Sequence, residues 1–220
     1  MKTIAIITAM QSEYDAVHKL YDFHENQNMA IAEAYNKKII LIKSGMGKVN
    51  AAVAAVTACQ NNADLVITTG LAGGIDSVLE QGDIVLADRV CYHDVWCGEE
   101  NEKGQVQDLP LYYEAPEDVI TVIKEKAPSF KVGLTVTGDQ FVTDKDKLAE
   151  IKRDFPEAYA TDMESAAIAQ TCYLLKVPYL SLRIISDVVG KVGQVEEYLF
   201  FREQMPIKAS NMVDTVLKAL

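Results

Sequence analysis

The stretch 180–190, LSLRIISDVVG, begins as a buried strand should: Leu180, Leu182, Ile184 and Ile185 form the near-continuous apolar run of a parallel strand covered on both faces. Yet it carries Arg183 in its body and delivers Ser186 and Asp187 at its end. A second stretch, 159–175, YATDMESAAIAQTCYLL, places Asp162, Met163 and Glu164 where a strand gives way to a helix. Charges are costly to bury unless they are paired or used. Working outward, apolar runs predict strands at 2–8, 29–34, 38–43, 64–69, 83–90, 132–137, 157–161 and 178–185. Helical patterns fall at 11–21, 48–61, 116–126, 144–153, 163–175 and about 195–218. This alternation predicts the α/β class, a mostly parallel sheet sandwiched between helices, in a single domain over residues 1–220.

The chain has 220 residues, 49% hydrophobic and 24% charged, the balance of a soluble globular domain. A formal net charge of −11 argues against nonspecific binding to nucleic acid or an anionic membrane. The N-terminal MKTIAIITAMQSEYD has too short an apolar run for a signal peptide, and no run reaches membrane-spanning length, so a cytoplasmic location is expected. Cys91, His93 and Cys97 lie close together, but zinc spacing calls for a tighter pair and a second, distant pair of ligands. The four cysteines are therefore read as reduced thiols, and no metal is expected. Segment 92–115 is the least regular, polar with the only tryptophan, and long enough to suggest a function or a contact with a partner.

In open α/β sheets the ligand sits at the carboxyl ends of strands. Those ends carry AMQSE (9–13), KSGMGKVNA (43–51), TTGLAGGI (68–75), TGDQFV (137–142), TDMES (161–165) and RIISD (183–187). SGMGKVN fails as a phosphate-binding loop, because Ile42 and Val49 stand where that motif needs Gly and Ser/Thr. TGLAGG lacks dinucleotide-site spacing. Each glycine cluster taken alone reads as a tight turn.

Taken together and in this order, AMQSE, SGMGKVNAA, TTGLAGGI, GDIV, YHD, GDQFV, DMESAAIA and RIISD resemble the methylthioadenosine/S-adenosylhomocysteine nucleosidases over roughly residues 2–215. These belong to the nucleoside phosphorylase superfamily. The resemblance implies a three-layer α/β sandwich whose central sheet is mixed, and hydrolysis of the N-glycosidic bond of a 5′-substituted adenosine without a cofactor. It gives Glu13 the general base's position and Asp187 that of the acid protonating purine N7, with Ser186 orienting it. Glu164 matches the carboxylate on the ribose hydroxyls, and Met163 lines the ribose. Phe141 matches the aromatic stacked on adenine, and the Val142 backbone matches the contact to the adenine edge. Arg183 matches an arginine near the water and is expected to pair with Glu13. Met46 and Leu71 complete the expected substrate-binding set.

The residue chemistry fits that reading. Adenine leaves poorly as an anion, so an acid must neutralise it, and a carboxyl group does so near neutral pH only with a raised pKa. The ribosyl group gains oxocarbenium character, which a carboxylate can offset, while another takes the proton from water. Acids that merely cap helices would explain Glu13 and Glu164 locally, but not Arg183.

The chain departs from the resembled pattern on the 5′ side. Leu71 stands where Ser is common, Val195 where Phe is common, and VWCGEENEKGQVQ replaces the usual continuation after YHD. Methylthioadenosine and S-adenosylhomocysteine remain the first expected substrates, with 5′-deoxyadenosine or aminodeoxyfutalosine as alternatives. A phosphorylase using phosphate is the competing enzyme class, and a silent nucleoside-binding module would not need all three acids. No arginine stands in the first two strand-end loops to hold phosphate, which favours water. A homodimer is expected, from Trp96, Leu109, Leu111, Tyr112 and Tyr113 in the 92–115 loop and from the resembled family's shared pocket.

Overall fold

The computed structural model describes residues 1–220, the side chains of residues 202, 203, 205 and 206 excepted. The first strand, β1 (Lys2–Thr8), leads into helix α1 (Gln11–His18). A meander follows: β2 (His24–Asn26), β3 (Met29–Ala34) and β4 (Lys37–Lys43). Helix α2 (Lys48–Gln60) connects to β5 (Leu65–Gly74) and β6 (Ile84–Tyr92), and a short β7 (Tyr113–Glu114) precedes α3 (Glu117–Lys126). The chain continues through β8 (Lys131–Thr137), α4 (Lys145–Asp154), β9 (Ala158–Asp162), α5 (Ser165–Leu175), β10 (Tyr179–Val188) and α6 (Gln194–Ala219). No described helix is long and apolar enough to cross a membrane.

The sheet is mixed and its longest ladders are parallel: β10 with β5, and β1 with β4. It runs β10-β6-β8-β9-β5-β1-β4-β3-β2, and β10 also pairs with β5. Strands β10, β6, β8, β9 and β5 therefore close on themselves, while β1, β4, β3 and β2 extend from β5. Successive residues on each central strand serve opposite layers, which explains the continuous apolar runs. Ile4, Ile6, Leu180, Leu182 and Ile184 pack with α6 residues Met212, Val213, Val216 and Leu217. Ala5, Ile7, Val66 and Tyr179 face α2 and α5, through Ala51, Ala54, Ala55, Ala58, Ala166 and Ala169. Small residues on both helices let α2 and α5 lie close over this face.

One sequence expectation needs correction. TGLAGG is not a tight turn, because β5 runs through Gly74 as regular strand. A Cβ on Gly70 would stand 2.7 Å from both Arg183 Nη1 and Glu13 Oε1, so the strand can pass between two charged side chains only without a side chain of its own. The end of the 92–115 loop packs onto the chain's own core, while Trp96 is exposed. Tyr113 is buried in β7, and Leu111 and Tyr112 pack against the cluster around Cys91 and Phe155.

Gly70→Ala should destabilise the fold by about 1–3 kcal/mol, the usual cost of overpacking. Urea unfolding measures it, and a variant as stable as the parent would show that Glu13 and Arg183 yield freely.

Candidate active site

Arg183 sits in the middle of β10 with 1% of its surface exposed. Its side chain reaches beneath the N-terminus of α5. Nε lies 2.7 Å from Asp162 Oδ2, and Nη2 lies 3.6 Å from Glu164 Oε2. Nε and Nη2 also donate to Ser165 Oγ, and Nη2 donates to Thr68 Oγ1. The expected Glu13 pairing is thus corrected: Asp162 is the closest ion partner, and Glu164 is the second. Glu13 feels Arg183 as a neighbouring charge across Gly70. The reason lies in the end of β9, where the Asp162 carboxylate meets both the guanidinium and the first N–H of α5. Asp162 accepts from the Ser165 amide and hydroxyl and from Thr137 Oγ1.

Glu13 lies in the first turn of α1 and is buried. One carboxylate oxygen takes the Ala9 and Met10 amides at 3.1 and 2.9 Å, and the other takes the Leu71 amide at 3.1 Å. It therefore does cap its own helix, and it also links that helix to β5. Burial pushes its pKa above the ordinary carboxylate value, while the Met10 amide and the Arg183 charge pull it back. Glu164 accepts from the Gly47 amide at 3.0 Å. Burial raises its pKa to about 7, against the pull of Arg183.

The β10–β5 ladder slips between Ile185 and Asp187. A bulge re-aims side chains, and here both Ser186 and Asp187 border the same cleft. Ser186 Oγ is 2.5 Å from Asp187 Oδ1, and Gln194 Nε2 donates to Oδ2 at 2.7 Å. Burial raises the Asp187 pKa, and these two donors oppose the rise.

One cleft is lined by all ten expected residues: Glu13, Met46, Leu71, Phe141, Val142, Met163, Glu164, Arg183, Ser186 and Asp187. Phe141 is 48% exposed and lies against Tyr198, with ring centroids 4.9 Å apart. Met46 is exposed at the mouth. Val195 is exposed and does not line this cleft. Sequence reasoning did not assign roles to Asp162, Ser165, Thr137, Gln194 or Tyr198. The TDMES stretch quoted at the outset already held the strongest signal for two of them.

A sequence model described as the phosphorylase superfamily matches residues 3–219. The 5′-methylthioadenosine/S-adenosylhomocysteine nucleosidase of Bacillus pumilus is 37% identical over 98% of both chains. That of Lysinibacillus sphaericus is 34% identical over 99% of this chain and 98% of its own. The chain belongs to this nucleosidase family. The structure of the Streptococcus pneumoniae nucleosidase with the transition-state inhibitor MT-ImmA is similar, with TM-score 0.93, 32% identity and 99% coverage of each chain. The Neisseria meningitidis nucleosidase in complex with methylthio-immucillin-A gives TM-score 0.92 at 34% identity, each chain covered fully.

Glu164 carries the clearest pH signature. A carboxyl whose folded pKa is raised supplies stability that is present below its ordinary pKa of 4.5 and is lost as pH rises through about 7. Glu164→Gln removes that loss and keeps an oxygen for the Gly47 amide. The melting temperature of the variant relative to the parent should therefore rise by several degrees from pH 5 to pH 8. A constant difference across that range would contradict the raised pKa.

Proposed function

We propose that this chain hydrolyses the N-glycosidic bond of methylthioadenosine, S-adenosylhomocysteine or a closely related 5′-substituted adenosine, releasing adenine. The observation that carries this reading is that Glu13, Glu164 and Asp187, three of the four buried carboxylates around one cleft, each have different partners. Asp187 is the general acid. Burial favours its protonated form, and protonating purine N7 lets adenine leave as a neutral molecule. The ribosyl cation that develops faces Glu164, whose carboxylate also takes the ribose hydroxyls. Glu13 accepts the proton of the attacking water. Three amides hold its carboxylate in place, and the Arg183 charge nearby favours its ionised form. Phe141 stacks on the base, the Val142 backbone meets its edge, Ser186 orients Asp187, and Met163, Met46 and Leu71 contact the sugar and its 5′ side.

Water is the nucleophile in this scheme. Arg183 is the one basic side chain lining the cleft among the described residues, and two carboxylates already engage it. A multiply charged phosphate would meet Glu13 and Glu164 with no free cation to offset them. Adenine should therefore be released from methylthioadenosine in phosphate-free buffer, unchanged by added phosphate, and Asp187→Asn should lower turnover at least ~10²-fold with little change in substrate binding. Release that appears only with phosphate, with ribose 1-phosphate as the sugar product, would establish a phosphorylase instead.

The working form is proposed to be a cytoplasmic homodimer, each single-domain protomer spanning residues 1–220. Its support is a stripe on α2, where Val49, Val53 and Val56 are exposed at helical spacing, together with exposed Tyr173 and Leu174 on α5 and Trp96 in the long loop. Light scattering at micromolar concentration should give twice the chain mass, and Val53→Glu should shift it toward the monomer. A fully active monomeric parent would refute the dimer.

A further inference from the structure

Gln194, the first residue of α6, has no role in the scheme above, yet it is buried against the site. Its carboxamide makes three hydrogen bonds, all to loop or site groups. Oε1 accepts from the Gly190 amide at 2.9 Å, and Nε2 donates to the Val142 carbonyl at 2.9 Å and to Asp187 Oδ2 at 2.7 Å. One nitrogen with two N–H donors thus bridges the carbonyl of the purine-edge segment and the carboxylate of the acid. A 6-aminopurine docked with N7 at Asp187 and its edge at Val142 presents the same chemical group, an exocyclic nitrogen with two N–H donors. One turn further along α6, Tyr198 covers part of the Phe141 ring, the surface on which the base would stack.

Resting on the base-site assignment above, we infer that Gln194 is an internal substitute for the exocyclic amine of adenine and sets the affinity for the base. Base binding is an exchange in which the ligand's amino group takes over both acceptors and the first turn of α6 gives way. Hydrogen bonds are traded donor for donor, so neither acceptor is left bare in the resting form or in the base-bound form, which would be costly in a buried site. The occupied form also withholds the site from ligands, and the apparent affinity is reduced by the fraction of molecules in which Gln194 has released.

The test is adenine binding by titration calorimetry to the full chain, its Gln194→Ala variant and its Gln194→Met variant, with KM and kcat for methylthioadenosine alongside. Met keeps the length and bulk of the side chain but has no donors, so it guards against a merely loosened loop. Both variants should bind adenine about 5-fold or more tightly, the factor of one net hydrogen bond, with KM falling in parallel. Unchanged or weaker adenine binding in both folded variants, or a fall in kcat at constant KM, would overturn the exchange and make Gln194 a positioning residue for Asp187. If the parent releases and binds adenine while the variants bind it no more tightly, only this inference fails. If the parent binds no adenine at all, the assignment of the base site fails with it.

Discussion

The buried guanidinium of Arg183 constrains much of what surrounds it. A cation inside a sheet must have its charge neutralised and its donors satisfied, or the strand carrying it would not be stable there. The chain meets this demand with the end of one strand and the start of one helix. Asp162 closes β9, Glu164 precedes α5, and Ser165 supplies a hydroxyl between them. Strand β10 can therefore carry a charge through the core only where α5 begins directly above it. That requirement fixes the approach of α5, and with α5 the alanine-lined packing of α2.

The same constraint reaches β5. Arg183 pairs with Gly70 in the ladder, and Glu13 arrives from the other side on α1. Gly70 carries no Cβ, and the Cβ positions at Gly73 and Gly74 are also crowded, by Val189 and Ile185. A glycine-rich strand is entropically weak. Here its pairings with β1, β10 and β9 hold it in place, and its bareness lets side chains from three elements approach one cleft.

Much of this was legible in the sequence, for identifiable reasons. The central strands announced themselves because both faces are buried, and α1, α2 and α5 because their small or apolar residues recur at helical spacing. Most of the cleft residues were legible because they fall at a strand end or in the loop or first turn after it, while Arg183 stood out as a charge inside an apolar strand. What the sequence concealed were choices among partners. Arg183 had several acids within plausible reach, and only the juxtaposition of β9, α5 and β10 selects Asp162 over Glu13. TGLAGG looked like a turn because glycine's local preference points that way, while the requirement for bare backbone comes from residues far along the chain. Gln194 gave no signal, since a glutamine at a helix start is ordinary until its partners are known. Of the 92–115 residues that suggested an interface, Tyr113, Leu111 and Tyr112 are used by the chain's own core, and Trp96 is exposed.

Glu13, Glu164 and Asp187 share one cleft and all have pKa values raised by burial, yet their surroundings set them apart. Glu13 is held by three backbone amides and feels a cation, conditions that favour a carboxylate able to accept a proton. Burial raises the Glu164 pKa to about 7, with Arg183 pulling it down and Asp162 pushing it up. Asp187 has no cation among the groups that shift it, and Glu197 adds repulsion, so its protonated form is opposed only by neutral donors. Separating acids of one chemical type by their neighbours is how a single site can hold an acid and a base at the same pH. In this chain Arg183 and Asp187 share β10, but the register slips at Ser186 between them, and Asp187 takes its hydrogen bonds from Ser186 and Gln194 while Arg183 is engaged by Asp162 and Glu164.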